Sequence, residues 1–180
     1  MITLRPLSAS DMKPLWYRAY RSESPKWAQL NAPFLDEYHQ YTFDEFLVEE
    51  TQLFLHCEDR NGIFLNEELI GIVSYTLSKK HIQTGIIIYS EDNWGKGIGY
   101  NAMKLWHKHI FDSFPNIDLI SITTWSGNPG MIALGEKLNM KLIERIDNAH
   151  IYKNFYYDRL RYEIGRNPYH GPNTNIHQSD

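Results

Sequence analysis

The chain has one cysteine, Cys57, among 180 residues. A single thiol cannot close an internal disulfide, and in the alternating run LFLHCED it reads as a strand residue of a protein kept in a reducing, cytoplasmic compartment. Long apolar runs are missing too. Nothing approaches the roughly 18 consecutive apolar residues of a membrane span, and the N-terminus MITLRPLSASDMKPL lacks the basic-then-apolar order of an export signal. The expectation is a soluble, unprocessed chain without a membrane partner. Positive charge is scarce: 18 Lys and Arg face 22 Asp and Glu, for a net charge of −4, so no broad positive field awaits a nucleic-acid backbone. No repeat and no Pro/Gly/Ser-rich linker divides the chain. The spacing of His107 and His109 does not make a metal site, and none is expected; His81 and His150, beside expected turns, read as solvent-exposed.

What is present is a 42% hydrophobic composition, enough for one good core. MITLRP alternates and ends at proline, as a short edge strand does; Ser8 or Ser10 then caps a helix reaching about Arg21, with Pro14 in its first turn. Residues 22–41 hold two prolines and several aromatics without steady period, which predicts a loop with short helical pieces over a pocket. Thr42 and Glu45 form a capping box for a helix over FDEFLVEET. The period then switches to two. LFLHCED, GIFLNEELIGIVSYTLS and HIQTGIIIYS give three or four antiparallel strands, turning at Asn66 to Glu68 and at Ser78 to Lys80. A helix from Ile98 to about Ser113, a buried strand IDLISITTW, and a second helix capped by Asn128 with Pro129 at its first position follow. Two strands close the chain around a turn at Asn148-Ala149, leaving a polar tail expected to be flexible. The pattern predicts a mixed α/β (α+β) sheet with helices on both faces.

The densest signal is GIIIYSEDNWGKGIGYNAMKLWHKHI, residues 85–110. A β-branched strand runs through a short turn into Gly95, Gly97 and Gly99 and then into a helix, whose unpaired N–H groups and glycine-stripped backbone suit an anion such as a pyrophosphate. Three glycines exceed what a plain turn needs, since each costs about 0.5–1 kcal/mol of backbone entropy. A dinucleotide fingerprint is excluded by order: hairpins precede the glycines, and Asp118 falls at the start of the next strand rather than its end. Lys96 adds charge beside the glycines or is an ordinary solvated lysine.

With Trp94-Gly95-Lys96-Gly97-Ile98-Gly99, Asn128-Pro129-Gly130-Met131 leading to Gly135-Glu136-Lys137-Leu138-Asn139-Met140, and Tyr156-Tyr157-Asp158 in this order, the chain resembles the GCN5-related N-acetyltransferase (GNAT) superfamily, in particular its ribosomal-protein alanine and spermidine acetyltransferase branch. The resemblance covers roughly residues 2–164 and implies one domain over 1–165, with a mixed, mostly antiparallel sheet of about seven strands flanked by about four helices, then a tail over 166–180. It further implies acetyl-CoA as the acetyl donor and a primary amine, on a small molecule or a peptide N-terminus, as acceptor. It places the pyrophosphate on residues 94–99, and the pantetheine arm on Asn128, Met131 and the backbone of Ile87 and Tyr89.

Two positions depart from the family pattern. Gly135 stands where many relatives carry a tyrosine that protonates the leaving thiolate, and Gln83 where some carry a basic glutamate. That leaves Tyr152 or Tyr157 as candidate acids, with Glu91, Asp92 or Asp158 as the end of a water chain acting as base. Strand alternation allows only one of Tyr156 and Tyr157 into a pocket. The same vacancies keep open a non-catalytic acyl-CoA-binding or sensing module. Trp16, Trp27, Phe34, Tyr38 and Tyr41, with Glu23, Asp36, Glu37 and Asp44 among them, are either core packing or the lining for an apolar or polyamine-like amine. Free sheet edges make a homodimer plausible.

Overall fold

The computed structural model describes residues 1–78 and 81–168. Seven strands form one sheet: β1 Ile2–Arg5, β2 Arg60–Leu65, β3 Glu68–Ser78, β4 His81–Ile88, β5 Leu119–Trp125, β6 Lys141–Tyr152 and β7 Phe155–Gly165. Their spatial order is β1-β2-β3-β4-β5-β7-β6. All neighbours are antiparallel except β4 and β5. Five α-helices accompany them: α1 Met12–Ala19, α2 Lys26–Leu30, α3 Phe43–Glu49, α4 Ile98–Ser113 and α5 Pro129–Lys137.

Adjacent apolar residues in β2 and β3 serve opposite faces, because strand side chains alternate. Ile63, Ile70 and Val73 enter a core with Trp106 and Ile110 of α4. Phe64, Leu69 and Ile72 enter another with Met12 and Leu15 of α1 and Phe46 of α3. This is the mixed sheet covered on both faces that the pattern predicts.

The local signals hold in most places. Thr42 and Glu45 exchange both capping hydrogen bonds, at 3.3 and 2.8 Å. Ser8 and Asp11 box the 3-10 turn leading into α1, and Asp11 also takes a two-pronged hydrogen bond from Arg5. Asn66 and Glu67 have positive φ, as a two-residue hairpin turn with strand-matching twist demands.

Three expectations need correction. LFLHCED is not a strand: a 3-10 turn Thr51–Leu53 and a positive φ at His56 steer it away from the ladder, leaving one isolated bridge from Leu55 to Leu7. Cys57 is half-buried there, its thiol against the carbonyls of Leu53 and Leu55. The last hairpin turns at Lys153-Asn154, both at positive φ, while Asn148 lies in a register shift within β6. His150 consequently sits in a strand, stacked on Phe34 at 4.0 Å, rather than at a turn. His107 is fully buried in the α4 core.

Of the expected turn at Ser78 to Lys80, Ser78 ends β3 opposite His81, while residues 79 and 80 and the tail beyond residue 168 lie outside the described residues. Arg166, where the tail begins, gives hydrogen bonds to the carbonyls of Phe111, Phe114, Pro115 and Ile117 and so closes the C-terminal end of α4. Among the described residues no helix is long and apolar enough to cross a membrane.

Candidate functional site

The site begins where two strands part. β4 and β5 pair only at Ile82 with Ile120 and Gln83 with Ser121, although β4 continues along β3 as far as Ile88. Just past the last pair, the Thr84 hydroxyl donates to the Ser121 carbonyl at 3.2 Å and meets His107 Nε2 at 3.1 Å. Burial lowers the His107 pKa to about 3, so the imidazole is neutral there. Beyond this crotch the strands diverge, and a cleft of about 500 Å³ opens between the end of β4, the turn after it and the start of α5.

One wall is β4. The Tyr89 N–H donates to the Ile70 carbonyl, and antiparallel alternation then turns the backbone groups of Tyr89 and Ile87 toward β3. Ile86 and Ile88 are the residues whose main chain faces the cleft. Tyr89 itself is fully buried against Trp27, does not line the cleft, and has its pKa raised by that burial. Ile87 does line it.

The glycine turn forms the floor. Trp94 pins it by donating its indole N–H to the Ile88 carbonyl at 2.9 Å. Gly95 and Gly97 have φ of 71° and 76°, a region that side-chain-bearing residues rarely adopt. A Cβ on Gly95 would meet nothing within 4 Å, so backbone conformation, not packing, calls for that glycine. Gly97 is the N-cap of the 16-residue α4 and makes no side-chain cap. The N–H groups of Ile98, Gly99 and Tyr100 are thus left without the intrahelical carbonyls that later turns enjoy, at the positive end of a long helix beside the cleft.

The cation at this floor is not the expected one. Lys96 is exposed and absent from the lining, whereas Lys137, at the end of α5, lines the cleft with Nζ 4.0 Å from where a Gly97 Cβ would stand and 5.2 Å from the Tyr100 ring centre. Its position seven residues after Gly130, which also lines the cleft, is the signal that could have found it, because two turns carry the side chain back to the same face.

The opposite wall is the start of α5. Asn128 and Met131 both line it. Asn128 Oδ1 accepts the Met131 N–H at 3.1 Å as an N-cap, and its Nδ2 donates to the Leu30 carbonyl at 3.0 Å, so both ends of the amide have protein partners. Gly135 faces the sheet: a Cβ there would stand 3.2 Å from Ile122 and 3.3 Å from the Tyr162 ring, leaving no room for a tyrosine without repacking.

The expected acids and base are not brought into the cleft lining. Tyr157 and Tyr152 stand edge-on to Trp125, at 4.8 and 6.1 Å between ring centres, while Tyr156 is exposed. Glu91 is half-exposed and paired with Lys26 at 2.6 Å. Asp158 is held by the Asn148 N–H and by Arg145, which keep its carboxyl below the usual range. Tyr100 and Lys137 are the ionisable residues of the described lining. Of the aromatics in the first third, Trp27 reaches the cleft, whereas Tyr38 and Tyr41 pack around Tyr20 and Trp16 packs on Phe43. Most of that aromatic set is core.

A seven-stranded sheet whose one parallel pair splays over a glycine-lined helix start defines the class of protein. Residues 1–141 match the family model described as acetyltransferase (GNAT) domain, and the chain belongs to that family. Among solved structures it is similar to a spermidine N-acetyltransferase from Vibrio cholerae in complex with CoA and spermine, with a TM-score of 0.70 at 21% identity over 93% of this chain and 97% of that one. A GNAT-family acetyltransferase from Bacillus anthracis gives 0.69 at 16% identity over 91% and 94%. A ribosomal L7/L12 α-N-protein acetyltransferase in complex with coenzyme A gives 0.70 at 18% identity over 91% and 93%. Identities this low speak for the fold alone. A sequence search of curated proteins finds no match.

Proposed function

We propose that the chain is an acetyl-CoA-dependent N-acetyltransferase that moves an acetyl group directly to a primary amine on a small molecule or a peptide N-terminus. The observation that carries the reading is the wedge itself. Where β4 parts from β5, its end and the first turns of α5 enclose an apolar slot, and at its floor open N–H groups and one lysine converge. A long amide arm ending in a pyrophosphate has those chemical requirements. Gly95, Gly97, Gly99 and Lys137 would hold the pyrophosphate; Ile86, Ile88 and Met131 would flank the arm. The bound acetyl-CoA supplies an activated thioester. The protein contributes orientation and dry surroundings, and the Ile86 and Ile88 N–H groups are the donors available on the β4 wall.

With no carboxylate or histidine in the described lining, the amine arrives neutral from solvent and the thiolate is protonated by water, not by Tyr152 or Tyr157. A thiol of pKa near 8.5 leaves fairly well unaided. Thiol release from acetyl-CoA at pH 8, measured over polyamines, aminoglycosides, amino acids and Ser- or Ala-starting peptides, tests the assignment. Turnover with at least one panel member is expected; none at all would count heavily against it.

The missing acid and base favour a second reading, a non-catalytic acyl-CoA-binding module. Calorimetric CoA binding without turnover on that panel would select it. A homodimer is also part of the proposal, because the sheet edge β6 exposes Leu142, Ile146 and Ile151. Elution at the 21.2 kDa monomer position in gel filtration would sink the dimer.

A further inference from the structure

We propose that Trp125 and Asn128 are positioning residues that hold α2 as a strap across the wedge through one shared acceptor, the Leu30 carbonyl. The inference rests on the reading of the cleft as the acetyl-CoA site.

α2 has five residues, far too few to persist as a helix without tertiary support. Its supports come from both sides of the split in the sheet. Near the glycine turn, Lys26 pairs with Glu91 at 2.6 Å. In the middle, Trp27 is buried and donates to the Ala19 carbonyl at 3.2 Å. At the far end, the Leu30 carbonyl accepts from Trp125 Nε1 at 2.9 Å and from Asn128 Nδ2 at 3.0 Å, donors that belong to β5 and to the cap of α5. Trp27, Leu30 and Asn31 line the cleft between those attachments. α2 therefore ties together the two walls that the strand ladder leaves untied.

The two ends are unequal. Lys26 and Glu91 are about half exposed, a setting in which ion pairs contribute little. Trp125 is 5% exposed, and losing its N–H leaves the partly buried Leu30 carbonyl with one of its two donors. The Asn128 amide is oriented for the task, because its oxygen is fixed by the Met131 N–H. The latch is thus the Leu30 end, and its opening sets how fast a ligand in the wedge exchanges.

The substitutions can spare the fold. Asn128→Ser keeps a capping oxygen and loses the donor to Leu30. Asn128→Asp keeps the cap, suits the helix dipole, and sets a carboxylate against the Leu30 carbonyl. Trp125→Phe keeps a ring among Phe34, Tyr152 and Tyr157 and loses the N–H. In the full chain without ligand, amide exchange over residues 26–35 should accelerate about five- to tenfold in each variant, with α4 exchange and thermal midpoint near wild type for the two Asn128 variants. CoA release from Asn128→Ser, followed by stopped-flow tryptophan fluorescence, should quicken by a similar factor. Wild-type exchange over 26–35 in all three variants would overturn the latch. Faster exchange with unchanged CoA release would overturn its role at the site. Failure of the wild-type chain to bind CoA would overturn the reading of the cleft, separately from the exchange result.

Discussion

At the α4 end of the cleft the groups facing inward are main-chain N–H groups set by two positive-φ glycines, while at the α2 end the lining is Trp27, Leu30, Asn31 and Asn128, backed by side chains from distant parts of the chain. Behind that lining Phe34, Trp125, His150, Tyr152 and Tyr157 form a ring cluster, joined to α2 through Leu30. A backbone-built anion floor tolerates few substitutions, because the conformation itself excludes side chains. A wall of side chains can be altered one residue at a time while the fold persists.

The largest expected effect comes from breaking the floor. Gly97→Val forces a β-branched residue to φ 76°, a conformation costing about 1–3 kcal/mol, and crowds the Lys137 ammonium and any pyrophosphate below it. Calorimetry should show CoA affinity reduced by about 100-fold. Lys137→Ala leaves the backbone intact and removes one charge-assisted contact, for an expected loss of about 10-fold in CoA affinity. Lys96→Ala should change it by less than about twofold, which separates the cleft lysine from the solvated one.

The crotch between the two ends is read through pH. His107 has its pKa lowered to about 3 by burial, against about 6.5 in the unfolded chain, so the unfolded state binds more protons between those values. Its contribution is complete above about pH 6.5 and is lost as pH falls toward 3, by up to about 1.4 kcal/mol per pH unit. Urea unfolding at pH 7 and pH 5 should show that slope, and His107→Gln, which keeps a partner for Thr84, should flatten it. At the aromatic end, Tyr152→Phe and Tyr157→Phe should each alter kcat by less than about threefold. A loss of tenfold or more in either would restore a tyrosine as the acid.

The same contrast governs what the sequence disclosed. The glycine turn, the Asn128 cap with Pro129 and the Thr42–Glu45 box were legible because each is a local backbone demand met by a few residue types. Lys137 was passed over for Lys96, since adjacency to the glycines in sequence is not adjacency in space. Ile87 lines the cleft as expected, but the main-chain groups of Ile87 and Tyr89 turn toward β3 and those of Ile86 and Ile88 away from it, because one residue reverses a strand's hydrogen-bonding side. LFLHCED alternates as a strand does, but a positive φ at His56 overrides the pattern. Nothing local could have told that Leu30 meets Trp125, 95 residues away.

The narrow seam between β4 and β5 has a mechanical consequence. Four strands on one side and three on the other share two backbone pairs, side-chain bonds from Thr84 to the Ser121 carbonyl and from Thr123 to Gln83, and α4 packed behind both. Such a sheet is two leaves on a short spine, and leaves of this kind open as separate cooperative units. An occupant of the wedge would bridge the leaves where the ladder does not, and so brace one against the other.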